Sequence, residues 1–116
     1  MRALVTAERE ALAARVRDAL PSGRSVREVS MFGGLSFMVD DSMVVAVRRG
    51  GELLVRVDPA RNEELLDVPG AAPAVMGDQD MGPSWITVSA DGIATGEQLG
   101  FWVRTGLEGR GRGISE

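Results

Sequence analysis

The stretch from Val29 to Val57, VSMFGGLSFMVDDSMVVAVRRGGELLVRV, decides the fold. Val29 and Met31 alternate with Glu28 and Ser30, the two-residue period of a strand, which ends at Phe32. Gly33-Gly34 interrupts it, and Leu35 to Val39 forms a second strand closed by Asp40-Asp41-Ser42. Met43 to Val47 is a nearly continuous apolar run, as a central strand would be. Arg49-Gly50-Gly51-Glu52 is a hairpin turn in which glycine supplies the positive φ, and Leu53 to Val57 is the fourth strand. Connections this short force antiparallel pairing, because a parallel crossover needs about a dozen residues or more.

Working outward, the period changes to that of a helix on both sides. Over residues 6–20, Leu12, Val16 and Leu20 recur on one stripe beside Ala13 and Ala19, with Thr6 as the expected N-cap and Pro21 and Gly23 as the stop. Asp58-Pro59 opens a second helix, with Leu65, Leu66 and Val68 on its apolar side. Residues 70–84 are the least regular part, with a short extended segment expected near Ala74 to Met76, and Trp85 to Val88 reads as a further strand. Thr95 and Gln98 form a capping box for the last helix, whose buried stripe is Leu99, Trp102, Val103 and Leu107. Its glycines each weaken it by up to about 1 kcal/mol relative to alanine, so packing must hold it. Phe37, Val45, Val55, Leu99 and Val103 are expected in one core. The fold class is therefore α+β: a two-layer domain with an antiparallel sheet of five or six strands, and N- and C-terminal helices packed on it. The domain is placed at 1–108, with 109–116 as a flexible Gly/Arg tail.

A chain of 116 residues is one domain, able to bury about two-thirds of its surface without staples. The zeros in its composition are informative. There is no Cys, no His and no Lys, so all 13 basic residues are Arg. That leaves no disulfide, no thiolate or Ser-His nucleophile, no Schiff base, no P-loop lysine and none of the usual zinc ligands. General acid–base work would fall to Asp and Glu. The net charge of −4 opposes affinity for phosphate backbones, so direct nucleic-acid binding is not expected. No apolar run approaches the roughly 20 residues of a membrane span, and the N-terminus is too charged for a signal peptide, so the expected location is cytoplasmic.

The segment Met31-Phe32-Gly33-Gly34-Leu35-Ser36-Phe37-Met38-Val39-Asp40 resembles the TfoX N-terminal domain family, also called TfoX/Sxy. The likeness continues through Asp41 to Val47, Leu53 to Pro59, Gly70-Ala71-Ala72-Pro73, Met81-Gly82, Trp85 and Trp102-Val103, covering roughly residues 6–108. The resemblance implies an antiparallel sheet with helices, similar to secretion-chaperone-like folds. It also implies a regulatory role, since full-length relatives promote natural competence together with the transcription machinery. Those relatives continue into a helical C-terminal domain, and this chain is read as a stand-alone N-terminal domain. The resemblance carries over no catalytic residues.

The candidate interaction or motif residues are Met31, Phe32, Gly33, Gly34, Trp85 and Trp102. The plain reading of the first four is core filling by Met and Phe, with a bend or bulge at the glycines. The tryptophans read as core anchors, and an exposed one would be an interface hot spot. The six methionines read as core. Asp40-Asp41 reads as a turn rather than a Mg²⁺ site. Asp78 to Gly82 resembles the start of an EF-hand loop but lacks the Glu at loop position 12, where Ser89 stands. Arg110 and Arg112 are too few for an Arg-Gly nucleic-acid tail. The sequence thus points to a non-enzymatic regulatory or protein-interaction domain without cofactor or metal, docking through a sheet edge or helix face onto a protein partner. A two-fold homodimer is expected from edges at strands 35–39 and 43–47. The alternative is a small ligand-binding or carboxylate- and Mg²⁺-dependent enzyme domain with its pocket under 70–84.

Overall fold

The computed structural model describes residues 2–20, 25–31, 34–40, 42–48, 51–76 and 78–114. The elements run α1 (Arg2–Ala19), β1 (Val26–Met31), β2 (Gly34–Val39), β3 (Ser42–Val47), β4 (Leu53–Arg56), a 3-10 turn (Pro59–Arg61), α2 (Asn62–Leu66), β5 (Ala71–Pro73), β6 (Val75–Met76), β7 (Gln79–Asp80), β8 (Trp85–Val88), a second 3-10 turn (Ala90–Ile93) and α3 (Gly96–Ile114). The main sheet has six strands in the order β1-β2-β3-β4-β8-β5, every pair antiparallel, and β6 and β7 form a separate two-stranded ribbon. The domain is α+β, with the meander over the first four strands that their short turns require.

Turn chemistry closes the meander. Asp40 takes a φ of 52° between β2 and β3, a conformation Asp tolerates better than most side chains. Between β3 and β4 the Arg48 N–H donates to the Glu52 carbonyl at 2.8 Å, and Gly51 supplies a φ of 87°. Arg49 and Gly50, like Pro21 and Gly23 after α1, lie outside the described residues.

The pairing of β2 with β3 shifts between Phe37 and Met38: Phe37 faces Val45, but Met38 faces Met43. Val44 is therefore the extra residue of a β-bulge. This explains the apolar run of β3. Val44, Val45 and Val47 all join the main core, while Met43 and Ala46 belong to a second cluster.

Both long helices cover one face of the sheet. Leu12, Ala13, Val16 and Leu20 of α1 and Leu99, Trp102 and Val103 of α3 are buried with Phe37, Val39, Val45, Leu53, Val55, Ile86 and Val88, so the five expected core residues do share one core. Trp102 is 1% exposed and meets Phe101 edge-on, with ring centroids 5.0 Å apart. The capping box forms in both directions: the Thr95 N–H donates to Gln98 Oε1 at 2.9 Å and the Gln98 N–H to Thr95 Oγ1 at 3.1 Å. Asp58 Oδ1 accepts from the Ala60 N–H at 3.0 Å, with Pro59 at the first helical position.

Several elements differ from the sequence reading. α1 begins at Arg2, so Thr6 lies inside the helix rather than capping it. α3 continues to Ile114, and Gly109 is buried where a Cβ would come within 2.7 Å of the Val57 Cα. Strands 35–39 and 43–47 are interior, not edges. Among the described residues the strands at the edges of the sheet are β1 and β5.

Candidate functional site

The helices leave the other face of the sheet to a much smaller cover. Strand parity sends Leu54 and Arg56 to this face, because Leu53 and Val55 point into the main core. Arg56 is the Cα partner of Trp85, so Trp85 shares that face. Here Ala46, Leu54 and Ala74 are buried, with Met43, Met81 and Trp85 half-buried against them. Ala74 and Met81 flank the β6–β7 ribbon, and the Met81 N–H donates to the Ala74 carbonyl at 2.9 Å. The ribbon thus lays its stem over the middle of the sheet.

At the margin of this cluster the Arg56 guanidinium lies over the Trp85 ring, 5.3 Å from its centroid. Such a contact is worth about 0.5–1 kcal/mol where exposed and more where dry. Arg56 Nε is buried without a hydrogen-bond partner. A cation held on an aromatic plane at the edge of an apolar cluster can pair with an acidic or polar group of a partner while the apolar atoms nearby exclude water.

The sequence candidates separate. Trp85 lies on the helix-free face and Trp102 in the main core, so the sheet stands between them. Met31 and Gly34 are Cα partners where β1 meets β2. Gly34 sits at the end of the sheet shared by Val47 and Leu53, whereas Trp85 sits at the opposite end with Arg56. Phe32 and Gly33 lie outside the described residues, as does Asp41. For Gly34 the structural reading has direct support: a Cβ there would come within 2.5 Å of the Val47 carbonyl oxygen. Met43, Met81 and Arg56 were not singled out from the sequence. The signal was available for Arg56, the one charge inside Leu53-Leu54-Val55-Arg56-Val57, two residues from Leu54 and so on the same face.

Two clefts on the helical side are lined by described residues. One, of about 370 Å³, is lined by Asp58, Arg61, Thr105, Glu108 and Gly109. Its acids and base are already engaged: Arg61 Nη1 donates to Glu108 Oε1 at 3.0 Å, and Arg61 also pairs with Glu64 at 3.1 Å. The other, about 430 Å³, lies between Val68, Pro69, Gly92 and the face of α3 carrying Glu97, Phe101 and Arg104. Neither is lined by any described residue of 71–84. Among the described residues no three Asp or Glu side chains converge as a metal site would require, and no helix is long and apolar enough to cross a membrane.

The architecture is that of a small helix-on-sheet domain that keeps one sheet face largely clear of helices. The chain belongs to the TfoX N-terminal domain family, whose model matches residues 7–109. No curated protein and no solved structure matches it.

Proposed function

We propose that the chain is a non-enzymatic regulatory or protein-interaction domain that works in the cytoplasm, within the transcription or competence control suggested by its family. The observation that carries this reading is the half-buried Met43, Met81 and Trp85 cluster with Arg56 stacked at its margin, on the face that no helix covers. Interface hot spots favour such aromatic and Arg groups in partly desolvated surroundings. The net charge of −4 favours a protein partner over a nucleic acid.

The test is genetic and biochemical together. Deletion of the gene should alter a defined set of transcripts, and wild-type protein should restore them. Met43→Lys, at a half-buried position, should keep the fold by circular dichroism yet fail to restore them. Full complementation by folded Met43→Lys would overturn the assignment of this face. Turnover of a small substrate abolished by Asp58→Asn or Glu108→Gln would replace the reading with an enzyme.

A further inference from the structure

We propose that the partner surface includes the β1 edge, and that its occupant is a second copy of this chain, paired antiparallel about a two-fold axis at Val29. The proposal rests on the interaction-domain reading and deepens it by naming a partner.

The backbone at this edge is set up for pairing. The Asp40 N–H donates to the Ser25 carbonyl at 2.9 Å, so Ser25 and Asp40 are a hydrogen-bonded pair. Antiparallel ladders alternate. With β1 in register against β2, the pairs Arg27–Met38 and Val29–Ser36 are then also hydrogen-bonded, and Val26–Val39, Glu28–Phe37 and Ser30–Leu35 are not. The N–H and C=O groups of Val26, Glu28 and Ser30 consequently point away from the sheet, as a template for another strand.

The two edges of the sheet are unlike. β5 has three residues and ends in Pro73, which cannot donate to a ladder. β1 has six residues, VREVSM, with no Pro and no Lys, and its Val26 is 37% exposed. Of the two edges among the described residues β1 is the longer and, apart from the charges of Arg27 and Glu28, carries none of the features that blunt an edge.

Charge selects the register. Two-fold pairing centred on Arg27 sets that residue against its own copy, and like charges directly opposite are destabilising; centring on Glu28 crowds two carboxylates that each already hold an Arg17 guanidinium. Centring on Ser30 leaves fewer strand residues paired. Centring on Val29 sets Val29 against itself, Glu28 against the partner's Ser30 and Arg27 against position 31, with no like charges opposed. Because Glu28 and Ser30 carry the outward groups, Val29 with the partner's Val29 is a non-hydrogen-bonded pair, with Cα atoms about 4.5 Å apart. The two helix-free faces then join as one continuous surface.

Cysteine chemistry makes the register testable, since the chain has no Cys of its own. A Cα separation of about 4.5 Å is within disulfide range. Light scattering of the full chain at tens of micromolar should give twice the mass of 12.3 kDa. Val29→Cys should oxidise to a covalent dimer, and Arg27→Cys, several residues from its own copy in this register, should not. Ser30→Pro removes one outward N–H and none of the β1–β2 bonds, so it should halve the mass while keeping the circular dichroism. If that variant does not fold, Ser30→Glu, opposite the partner's Glu28, should dissociate the dimer instead. A single-chain mass for the wild type overturns the proposal. So does a dimer that survives the Ser30 variants and in which Val29→Cys does not cross-link. Either result leaves the helix-free face to be judged by the Met43→Lys complementation, which a failure at β1 does not affect.

Discussion

Gly106 of α3 lies against the backbone of Val44 on β3: a Cβ at Gly106 would come within 2.7 Å of the Val44 carbonyl oxygen and of its Cγ1. Val44 is the extra residue of the β3 bulge, and glycine is the residue that leaves α3 room to seat on it. Gly106→Ala should therefore destabilise the protein by about 1–3 kcal/mol, as overpacking does, despite the better helix propensity of Ala. Gly100→Ala, whose Cβ would meet only the far end of Arg104 at 3.4 Å, should be neutral or gain up to about 1 kcal/mol. Denaturant midpoints of the two variants measure the difference, and equal midpoints would show that α3 does not rest on the bulge.

The start of α3 offers a second measurement. Thr95→Ala removes the acceptor for the Gln98 N–H and should cost about 0.5–2 kcal/mol. Thr95→Ser should recover most of that loss in thermal melts, because the hydroxyl is what caps the helix.

Leu99 is 2% exposed in the main core. Leu99→Ala should cost about 2–5 kcal/mol, the spread depending on how far the site collapses. An unchanged urea midpoint would mean that the last helix is undocked in solution.

Acid should loosen the link between α1 and β1. Arg17 Nε and Nη2 donate to the two carboxylate oxygens of Glu28 at 2.5 and 2.8 Å. Those hydrogen bonds hold the Glu28 carboxyl below its ordinary range, with the opposite charge of Arg17 assisting and partial desolvation opposing. A lowered folded-state pKa contributes stability that is present above the unfolded value and lost as pH falls through the folded one. The pair is part-exposed, so solvent screens it and its contribution is small. Glu28→Gln should be slightly less stable than wild type at neutral pH, with the gap closing once the carboxylate is protonated. A gap that persists in acid would point to packing rather than charge.

The meander was legible because its turns are written in Asp and Gly, and the capping box because Thr95 and Gln98 stand three residues apart before an apolar stripe. The bulge was hidden: an unbroken apolar run looks the same whether a strand is buried on both faces or carries Val44 as an extra inward residue. Which strands become edges was hidden too, because β8 pairs with β4 across a long gap in sequence that no local pattern reports. That pairing, with the parity it imposes, sends Trp85 to the helix-free face and separates it from Trp102. Arg15 fell off the apolar stripe of α1, yet its Nη2 donates to the Ile93 carbonyl at 2.7 Å and the Thr95 carbonyl at 3.3 Å, tying α1 to the turn before α3. Such a bond depends on where two distant segments meet, which spacing within either one does not encode.

The strand order also fixes a sequence of assembly. β1 to β4 can zip through successive hairpins as the chain leaves the ribosome, but β8 must enter between β4 and β5, both of which precede it. Until Val88 reaches Leu53, the outer edge of β4, Leu53-Leu54-Val55-Arg56, has no neighbour. A nascent or truncated chain ending before Trp85 would therefore display an apolar edge that the finished protein never shows. That interval in synthesis leaves the β4 edge open to wrong pairing, as unpaired edges in incompletely folded chains are.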